Sequence, residues 1–364
     1  MGGNFLRRHP LLTGAAVLGL GVSAAGLATD SRLDPVRWRP PDPPTLTGPL
    51  EPNQALTATE TVCTVDAPED VAFDDDGRLY TGSSDGVVRR TVDPVDDEAT
   101  DVALEAHGHT GGQPLALAFA GEDLLVCVAG VGLVAIGPHG NARVLTDWAG
   151  GRPIAFADDL HVTDEGTVYF TDATVHDRYR DELVELRDTG RLLAYDPESG
   201  ETTVETEDFG FANGIAPGPD GDSLLITETS RYRITRYWFR GPRAGEREHV
   251  ATNLPGFPDN IDAGPSGRYW VAVPALRDST IDLLHEYPWL GRQLGKLPPA
   301  ALEAIGMDPY GLVLEMTADG ELRDSLHDPT GAVHGITSAT LRDGALYLGT
   351  LFGDRVLRYS LGED

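Results

Sequence analysis

Lysine and cysteine are both scarce in this chain of 364 residues. Lys296 is the single lysine among 28 basic residues, which face 58 acidic residues and leave a formal net charge of −30. Phosphate binding needs a basic patch, so this charge excludes nucleic acid as a partner. The acidic residues are spread along the chain, and nearly all of the basic residues are arginine. We interpret this as a halophilic protein, because molar salt shortens the Debye length to about 3 Å and screens self-repulsion.

Two cysteines are too few for a disulfide framework. Cys63 and Cys127 each lie in an apolar run, over residues 61–65 and 124–128. We therefore predict two buried thiols within strands.

The hydrophobic fraction of 40% is sufficient for a large core, and closed all-β folds often hold a chain of this length as one unit.

Residues 10–29 form an uncharged stretch rich in Leu, Ala, Val and Gly, directly after Arg7, Arg8 and His9. At about 1.5 Å per residue, a helix of this length matches the hydrocarbon core of a bilayer, which is about 30 Å thick. Three interpretations are open: an uncleaved signal-anchor, a signal peptide cleaved near the small residues 23–28, and a hydrophobic helix of the fold. We prefer the anchor, with the arginine pair on the cytoplasmic side.

A proline-rich segment follows the uncharged stretch. It contains seven prolines between residues 30 and 52, which predict an extended linker over residues 30–58. The expected organisation is a membrane anchor over residues 1–29, this linker, and one folded domain over residues 59–364. The folded domain would lie outside the cytoplasm, or would be secreted if the N-terminal segment is cleaved.

Short β-rich runs recur through the folded domain, and most of them reach a turn glycine at a fixed distance. An apolar strand then follows, as with Tyr169 and Phe170 after Gly166. The six copies are marked by Glu69, Leu115, Asp158, Asn213, Asp259 and Ile336. Their spacings of 46, 43, 55, 46 and 77 residues are typical of β-propeller blades, which place four strands in about 40–50 residues. We predict an all-β, six-bladed propeller.

The last interval exceeds one blade by about 30 residues, and its pattern is helical. Apolar residues recur with helical spacing over residues 281–294 and 298–305. We expect two short helices inserted between blades five and six, above one mouth of the propeller. Trp289, Leu290 and Leu294 would give them an apolar surface suited to an apolar substrate or to a membrane.

Oxygen-bearing side chains occupy the marker position in four of the six blades, as Glu69, Asp158, Asn213 and Asp259. Equivalent positions at the start of the innermost strands converge on the axis of a propeller, so we expect these oxygens to meet. Several carboxylates so close together require a cation. Oxygen ligands without His or Cys favour Ca²⁺ over zinc. The alternative is that these residues only cap strand ends on an acidic surface. That would not explain why all four occupy the same position of the repeat.

Several stretches of the sequence form long, ordered motifs. They cover residues 151–160, 169–172, 211–214, 231–238, 254–261, 325–329 and 336–351. In these motifs the chain resembles the strictosidine synthase-like family, and in particular its membrane-anchored branch. That family is grouped with paraoxonases and gluconolactonases among the calcium-dependent six-bladed propellers, so the resemblance implies the same fold as the repeat does.

The resemblance also implies a catalytic Ca²⁺ ion. Its ligands would be Glu69, Asp158, Asn213, Asp259 and Asn260. In related enzymes the residue at position 158 is usually asparagine, so the carboxylate here should bind the cation more tightly and lower its Lewis acidity. The similarity to paraoxonases further implies a second, structural Ca²⁺ held by Asp70, Asp159 and the carbonyl of Leu117.

The reaction does not follow from the resemblance. Paraoxonases have a histidine where this chain has Leu115, and no glutamate near residues 334–338 matches the one that strictosidine synthases use. Three functions are therefore open: a Ca²⁺-dependent hydrolase of carboxylic esters or lactones with Asp259 as the base, a membrane-tethered propeller that only binds a ligand or partner, and an amine–aldehyde condensing enzyme. We favour the hydrolase, acting on a small molecule. His161 and His334 are candidates for groups beside the metal site.

Overall fold

The computed structural model describes residues 30–303 and 308–362. The chain divides into two compact units. In the described residues, the propeller unit comprises residues 42–177, 188–277 and 308–362, and the helical unit comprises residues 30–41, 178–187 and 278–303. Residues 1–29, on which the predicted anchor falls, lie outside the described residues. No helix in the described ranges combines the length and the apolarity that crossing a bilayer requires.

The propeller unit consists of six four-stranded antiparallel sheets, which we number as blades in chain order. Two 3₁₀ turns, Gly48–Leu50 and Ala55–Ala58, precede strand β1 (Glu60–Thr64). Blade one contains β2 (Val71–Phe73), β3 (Leu79–Thr81), β4 (Val87–Thr91) and β5 (Leu104–His109). Blade two contains β6 (Pro114–Ala120), β7 (Asp123–Val128), β8 (Gly132–Ile136) and β9 (Ala142–Thr146).

A short ribbon, β10 (Trp148–Ala149) and β11 (Arg152–Pro153), leads into the third blade. Blade three contains β12 (Ala157–Val162), β13 (Val168–Asp172), β14 (Gly190–Asp196) and β15 (Glu201–Phe209). Blade four contains β16 (Ala212–Pro217), β17 (Ser223–Glu228), β18 (Arg233–Trp238) and β19 (Arg247–Ala251). A 3₁₀ turn, Thr229–Arg231, lies between β17 and β18.

Blade five contains β20 (Ile261–Ala263), β21 (Arg268–Ala272), β22 (Gly311–Thr317) and β23 (Leu322–Asp328), with a 3₁₀ turn at Pro265–Gly267. Blade six contains β24 (Ile336–Arg342), β25 (Ala345–Thr350) and β26 (Arg355–Ser360), and β1 is its fourth strand. Strand β1 pairs antiparallel with β26, and Cys63 stands opposite Val356. The start of the propeller unit therefore completes its last blade and closes the ring.

The first strand of each blade is the innermost one, and these six strands form a closed circuit. Strands β2, β6, β12, β16, β20 and β24 each contact the innermost strand of the next blade, and β24 contacts β2. The prediction of an all-β, six-bladed propeller is confirmed. The free thiols Cys63 and Cys127 are buried in β1 and β7, as predicted.

Apolar side chains between neighbouring sheets form the core of the propeller unit. Val88 of blade one packs with Leu117 and Val126 of blade two. Leu192 of blade three packs in the same way with Ile226 of blade four. Inner strands such as β7 and β8 are buried on both faces, so their sequences are nearly continuous apolar runs rather than alternating ones.

The described residues of the helical unit form four short helices. They are α1 (Tyr179–Glu185), α2 (Ser279–Glu286), α3 (Pro288–Leu294) and α4 (Pro299–Glu303). Asp278 caps α2, because its side chain accepts the backbone N–H groups of Thr280 and Ile281. The core of the unit is formed by Leu33, Val184, Leu294 and Leu302.

The beginning of the proline-rich segment is a component of the helical unit. The backbone N–H of Val36 donates to the carbonyl of Glu185, and that of Trp38 donates to the carbonyl of His285, both at 2.9 Å. Arg32 forms an ion pair with Asp181 at 2.6 Å. The segment from residue 30 to residue 41 contains no helix or strand, and these contacts attach it to the helices.

The helices α2, α3 and α4 lie between β21 and β22, the second and third strands of blade five, so the prediction of an insertion between blades five and six was wrong. The markers locate only innermost strands, and the interval from Asp259 to Ile336 contains two outer strands of blade five as well as the insertion. The predicted helix over residues 281–294 is divided at Tyr287, because Pro288 begins a new helix and removes a backbone donor.

Candidate metal centre

The five candidate ligands come from four blades, and all are buried. Glu69 precedes β2, Asp158 lies in β12, Asn213 lies in β16, and Asp259 and Asn260 directly precede β20. Each ligand is therefore at the start of an innermost strand. Because these strands form a closed ring, their starts lie around one axis, and the charges of the carboxylates act on one another.

A β-bulge presents the ligand in blades three and four. In blade three the register shifts between Ala157 and Leu160, so Asp158 and Asp159 stand opposite a single residue of β13. Blade four has the same shift around Asn213. A bulge interrupts the alternation of a strand and redirects its side chains. Asp158 and Asn213 thus occupy equivalent positions in their blades.

Threonine hydroxyls link the ligands to the neighbouring blades. Each donates a hydrogen bond of 2.7 Å to the backbone carbonyl of a ligand in the next blade. The three bonds run from Thr171 to Asn213, from Thr227 to Asp259, and from Thr337 to Glu69. The hydroxyls of Thr171 and Thr227 also accept the backbone N–H groups of Asp159 and Gly214 inside the bulges. The ligand backbone is therefore fixed by hydrogen bonds across each blade boundary.

A buried ion pair holds the loop that precedes Asp158. Asp172 Oδ1 accepts the backbone N–H groups of Ala155 and Phe156, at 3.1 and 2.9 Å. Arg191 donates two hydrogen bonds to Asp172 Oδ2, at 2.9 and 2.6 Å, and both side chains are buried. Buried charges need such pairing, so this loop has a defined path into β12.

Blade four repeats the arrangement before Asn213. Glu228 accepts the backbone N–H of Gly210 at 2.8 Å and pairs with Arg233 at 2.6 Å. No role for these acids or for the threonines was predicted from the sequence. A signal was present, because a threonine followed by an acid ends the second strand of both blades, at residues 171–172 and 227–228.

The five ligand side chains contain buried atoms that have no hydrogen-bond partner in the described protein. The unpaired oxygens are Glu69 Oε2, Asp158 Oδ2, Asn213 Oδ1, Asp259 Oδ1 and Asn260 Oδ1. An unpaired buried polar group costs about 1–3 kcal/mol. A cation that accepted these five oxygens as ligands would remove that cost.

Burial and mutual repulsion disfavour the ionised form of the three carboxylates. Burial, and after it the charge of Asp259, raises the pKa of Glu69 and of Asp158 well above the ordinary values. Burial raises the pKa of Asp259 to about 7, although hydrogen bonds from Asn213 and from the Asn260 backbone oppose this shift. A divalent cation would favour the charged forms again.

The donor set is chemically uniform. Within residues 30–303 and 308–362, no three His, Cys, Asp or Glu side chains are arranged as a metal site on their own. The group described above combines three carboxylates with two asparagines, so all of its potential donors to a metal are oxygen atoms. Such a set fits a hard cation like Ca²⁺ better than zinc or copper.

A second acidic group adjoins the first and consists of Asp70, Asp159 and Asp262, whose charges repel one another. Each accepts a backbone N–H from the next blade. The bonds run from Leu117 to Asp70 at 3.0 Å, from Ile215 to Asp159 at 2.8 Å, and from Leu341 to Asp262 at 2.7 Å. The structure thus brings Asp70 and Leu117 together through the N–H of Leu117, whereas the sequence analysis expected its carbonyl as a ligand.

Asp262 was missed by the sequence analysis. It lies on β20, three residues after Asp259, and burial raises its pKa to about 6. Burial likewise raises the pKa of Asp70 to about 7. The marker position alone does not include Asp262, because it lies further along the innermost strand than the ligands.

The two candidate histidines have other contacts. His161 stands opposite Tyr169 in blade three, and its pKa is lowered mainly by burial. His334 Nδ1 forms a hydrogen bond with the carbonyl of Gly331 at 2.9 Å, and its own carbonyl accepts the hydroxyl of Thr350 at 3.3 Å. The contacts described for the two rings include none with the five ligands.

The chain matches two related sequence families. Residues 48–91 match "Strictosidine synthase-like, N-terminal", and residues 158–242 match "Strictosidine synthase". Adipocyte plasma membrane-associated protein of Gallus gallus is 34% identical over 378 residues, which cover 97% of this chain and 90% of the relative. The chain belongs to the strictosidine synthase-like family. Protein STRICTOSIDINE SYNTHASE-LIKE 3 of Arabidopsis thaliana, another similar protein, is 32% identical over 82% of this chain and 83% of its own.

Solved structures share the fold of this member of the strictosidine synthase-like family. A gluconolactonase from Xanthomonas campestris matches 92% of this chain and 99% of its own, with a TM-score of 0.59 and 16% identity. The calcium-binding protein regucalcin from Agrobacterium tumefaciens matches 84% of this chain and 94% of its own, with a TM-score of 0.57 and 14% identity. At these identities the similarity concerns the fold alone.

Proposed function

We propose that this member of the strictosidine synthase-like family is a Ca²⁺-dependent hydrolase of small carboxylic esters or lactones. The observation that carries the proposal is the set of five buried, unpaired oxygens at the starts of four innermost strands. The names of two structural neighbours, a gluconolactonase and a calcium-binding protein, support the same chemistry.

The ion would be held by Glu69, Asp158, Asn213, Asp259 and Asn260. Ca²⁺ takes about six to eight oxygen ligands, so five protein oxygens leave room for water and for one oxygen of a substrate. When bound, the ion would polarise the substrate carbonyl and stabilise negative charge on its oxygen. The threonine hydrogen bonds hold the ligand backbone in place before binding, which limits rearrangement of the site.

Asp259 is our candidate for the catalytic base. With Oδ1 on the cation, its second oxygen would remain to accept a proton, and its carboxylate is oriented by a hydrogen bond from Asn213. With the cation bound, the carboxylate would be ionised and so able to accept a proton. In hydrolysis, Asp259 would take a proton from the attacking water and pass it to the leaving alkoxide, so that the carboxylate is regenerated.

We also propose that Asp70, Asp159 and the carbonyl of Leu117 hold a second, structural Ca²⁺. Asp70 and Asp159 are buried, and each raises the cost of ionising the other. The charge of Asp262 further raises the pKa of Asp70, and an ion bound here would relieve that repulsion. An ion here would connect blades one, two and three, which would stabilise the propeller rather than act in the reaction.

The proposed cellular location follows from the N-terminal sequence. We propose that residues 1–29 anchor the protein in a membrane with the propeller outside the cytoplasm, and the relatives named adipocyte plasma membrane-associated protein support membrane association. Carbonate extraction of membranes and N-terminal sequencing test this. An intact chain in the pellet supports the anchor, and a shortened chain in the medium would show a cleaved signal peptide instead.

The hydrolase is tested with the full-length protein in detergent and molar KCl, assayed on a panel of aryl esters and lactones. Turnover should require added Ca²⁺ and disappear with excess chelator. Asp259→Asn should reduce kcat by about 100-fold or more, since general-base catalysis typically contributes that much. Asp164→Asn serves as the matched control, because Asp164 is an exposed acid of blade three outside the site.

The same experiment separates the hydrolase from a propeller that only binds a ligand. Leu115 is an apolar, buried residue at the position where a histidine base would be expected, which favours the binding function. Calcium that raises the melting temperature without any turnover would contradict the hydrolase and support the binding propeller. Turnover that survives the chelator would contradict the role of calcium itself.

A further inference from the structure

Three large apolar side chains of the helical unit are exposed within seven residues of the chain. They are Leu283, Tyr287 and Trp289, which expose 48%, 42% and 60% of their surface, and we refer to them as the aromatic face. Leu283 and Tyr287 are one helical turn apart, since the N–H of Tyr287 donates to the carbonyl of Leu283 at 3.1 Å. Other side chains of the same helices, such as Leu294, are buried in the core of the unit.

The aromatic face belongs to the unit into which the N-terminal stretch leads. The uncharged stretch of residues 10–29 ends directly before Asp30. Only two residues further on, Arg32 donates to the carbonyl oxygens of Gly295 and Leu297, at 3.1 and 2.6 Å. If the uncharged stretch were inserted in a bilayer, only a few residues would separate the bilayer from the part of the chain that contacts the helices.

The charge of the helical unit differs from that of the whole chain. The ranges 30–41, 178–187 and 278–303 contain nine acidic and eight basic residues, whereas the complete sequence has 58 acidic and 28 basic residues. A strongly acidic surface is repelled by anionic lipid headgroups, but a nearly neutral one is not. The helical unit, which exposes Tyr287 and Trp289, can thus approach an anionic bilayer with less electrostatic repulsion than the strongly acidic remainder of the chain.

We propose that the aromatic face lies on the surface of the lipid bilayer. Tyr287 and Trp289 would sit at headgroup level, where their amphipathic rings are favoured, and Leu283 would reach the acyl boundary. A second protein is a less suitable partner for this surface. A stable protein interface involves about 20–30 residues on each side, whereas the aromatic face has three. This proposal is independent of the calcium site and of the reaction.

The test uses the full-length protein reconstituted into phosphatidylcholine vesicles whose acyl chains are brominated near the headgroup. Bromine quenches the emission of tryptophans that are in contact with the lipid. The chain has five tryptophans, and Trp148 in the propeller unit is as exposed as Trp289, at 57%. We expect Trp289→Phe to remove at least half of the quenched emission and Trp148→Phe to leave it unchanged.

A second pair of variants keeps every tryptophan. Leu283→Asp should reduce the quenching by at least half, because a carboxylate is excluded from the acyl boundary. Val144→Asp, at a residue of blade two that is 53% exposed, should have no effect. If the wild-type emission is not quenched, or if Trp148→Phe removes as much quenching as Trp289→Phe, the proposal is overturned and another copy of the chain becomes the occupant to consider.

Discussion

At the scale of single residues, Asp158 contributes one of the three carboxylates of the centre. Burial, and then the charges of Asp259 and Asp159, raises the pKa of this carboxyl. We expect Asp158→Asn to weaken Ca²⁺ binding about tenfold, which corresponds to about 1.4 kcal/mol. The same variant should raise the melting temperature without calcium, because one repelling buried carboxylate is lost. Calorimetric titration and thermal unfolding measure both effects, and an unchanged affinity would contradict the assignment of Asp158 as a ligand.

Thr227 offers a test of how the ligand backbone is held. Its hydroxyl accepts the N–H of Gly214 and donates to the carbonyl of Asp259, both at 2.7 Å. Thr227→Val keeps the shape of the side chain but removes both bonds, and should lower the free energy of unfolding by about 1–3 kcal/mol. Thr227→Ser keeps the hydroxyl and is the control. Chemical denaturation distinguishes the two, and equal losses in both variants would show that methyl packing matters more than hydrogen bonding.

The residue scale also shows what the sequence could reveal about the site. Glu69, Asp158, Asn213 and Asp259 share one phase of the repeat, so their convergence was predictable without coordinates. The bonding of the Leu117 N–H to Asp70 was not predictable, because it depends on how two blades are offset along the axis. The positions of the ligand side chains recur at regular intervals in the sequence. The direction in which a backbone N–H points across a blade boundary leaves no such pattern.

At the scale of the element, the ion pair between Asp172 and Arg191 connects the ends of β13 and β14 to the loop before β12. Arg191 also donates to the carbonyls of Ala149 and Pro153, at 2.7 and 3.0 Å. We expect Arg191→Met to lower the free energy of unfolding by about 3–5 kcal/mol, because it leaves a buried carboxylate unpaired.

An exposed ion pair provides the control for this variant. Arg143 pairs with Asp123 at 2.7 Å, and its side chain is 53% exposed. Arg143→Met should cost about 0–1 kcal/mol. Denaturant unfolding of the two variants, at the same calcium and salt concentrations, compares a buried pair with a surface pair. Similar losses in both would contradict the view that the buried pair is what positions the loop.

The elements differ in how well the sequence predicted them. The innermost strands were predictable, since each has an apolar run and most are followed by a turn glycine at a fixed offset. The insertion was recognisable as helical from its apolar spacing, but its place within blade five was not, because outer strands have no marker. Helix α1 was not predicted, since its seven residues are too few to form a detectable helical pattern.

At the scale of the whole molecule, the buried acids make stability depend on pH. Asp70 and Asp259 have pKa values of about 7 in the folded chain, against an ordinary value of 3.8. The calcium-free folded state then binds more protons than the unfolded state between these values, so its free energy of unfolding falls as the pH rises from about 4 to about 7. Calcium should oppose this loss, because it binds the ionised carboxylates.

Melting curves at pH 5 and pH 8, with calcium and with chelator, measure this dependence. We expect the melting temperature in chelator to be lower at pH 8 than at pH 5, and calcium to raise it more at pH 8. The control is Asp164→Asn, which removes an exposed carboxylate and should leave both differences unchanged. A calcium effect of equal size at the two pH values would show that the buried acids are not the ligands.

The central claim is that five oxygens from four blades hold one Ca²⁺ ion, and crystallography tests it most directly. Crystals of the full-length protein grown with CaCl₂ should show an anomalous difference peak at about 2.3–2.6 Å from Glu69, Asp158, Asn213, Asp259 and Asn260. The peak should be absent from crystals of the Asp259→Asn variant grown with chelator. Ordered wild-type density with no peak at these five side chains, or with calcium bound only elsewhere, would contradict the account.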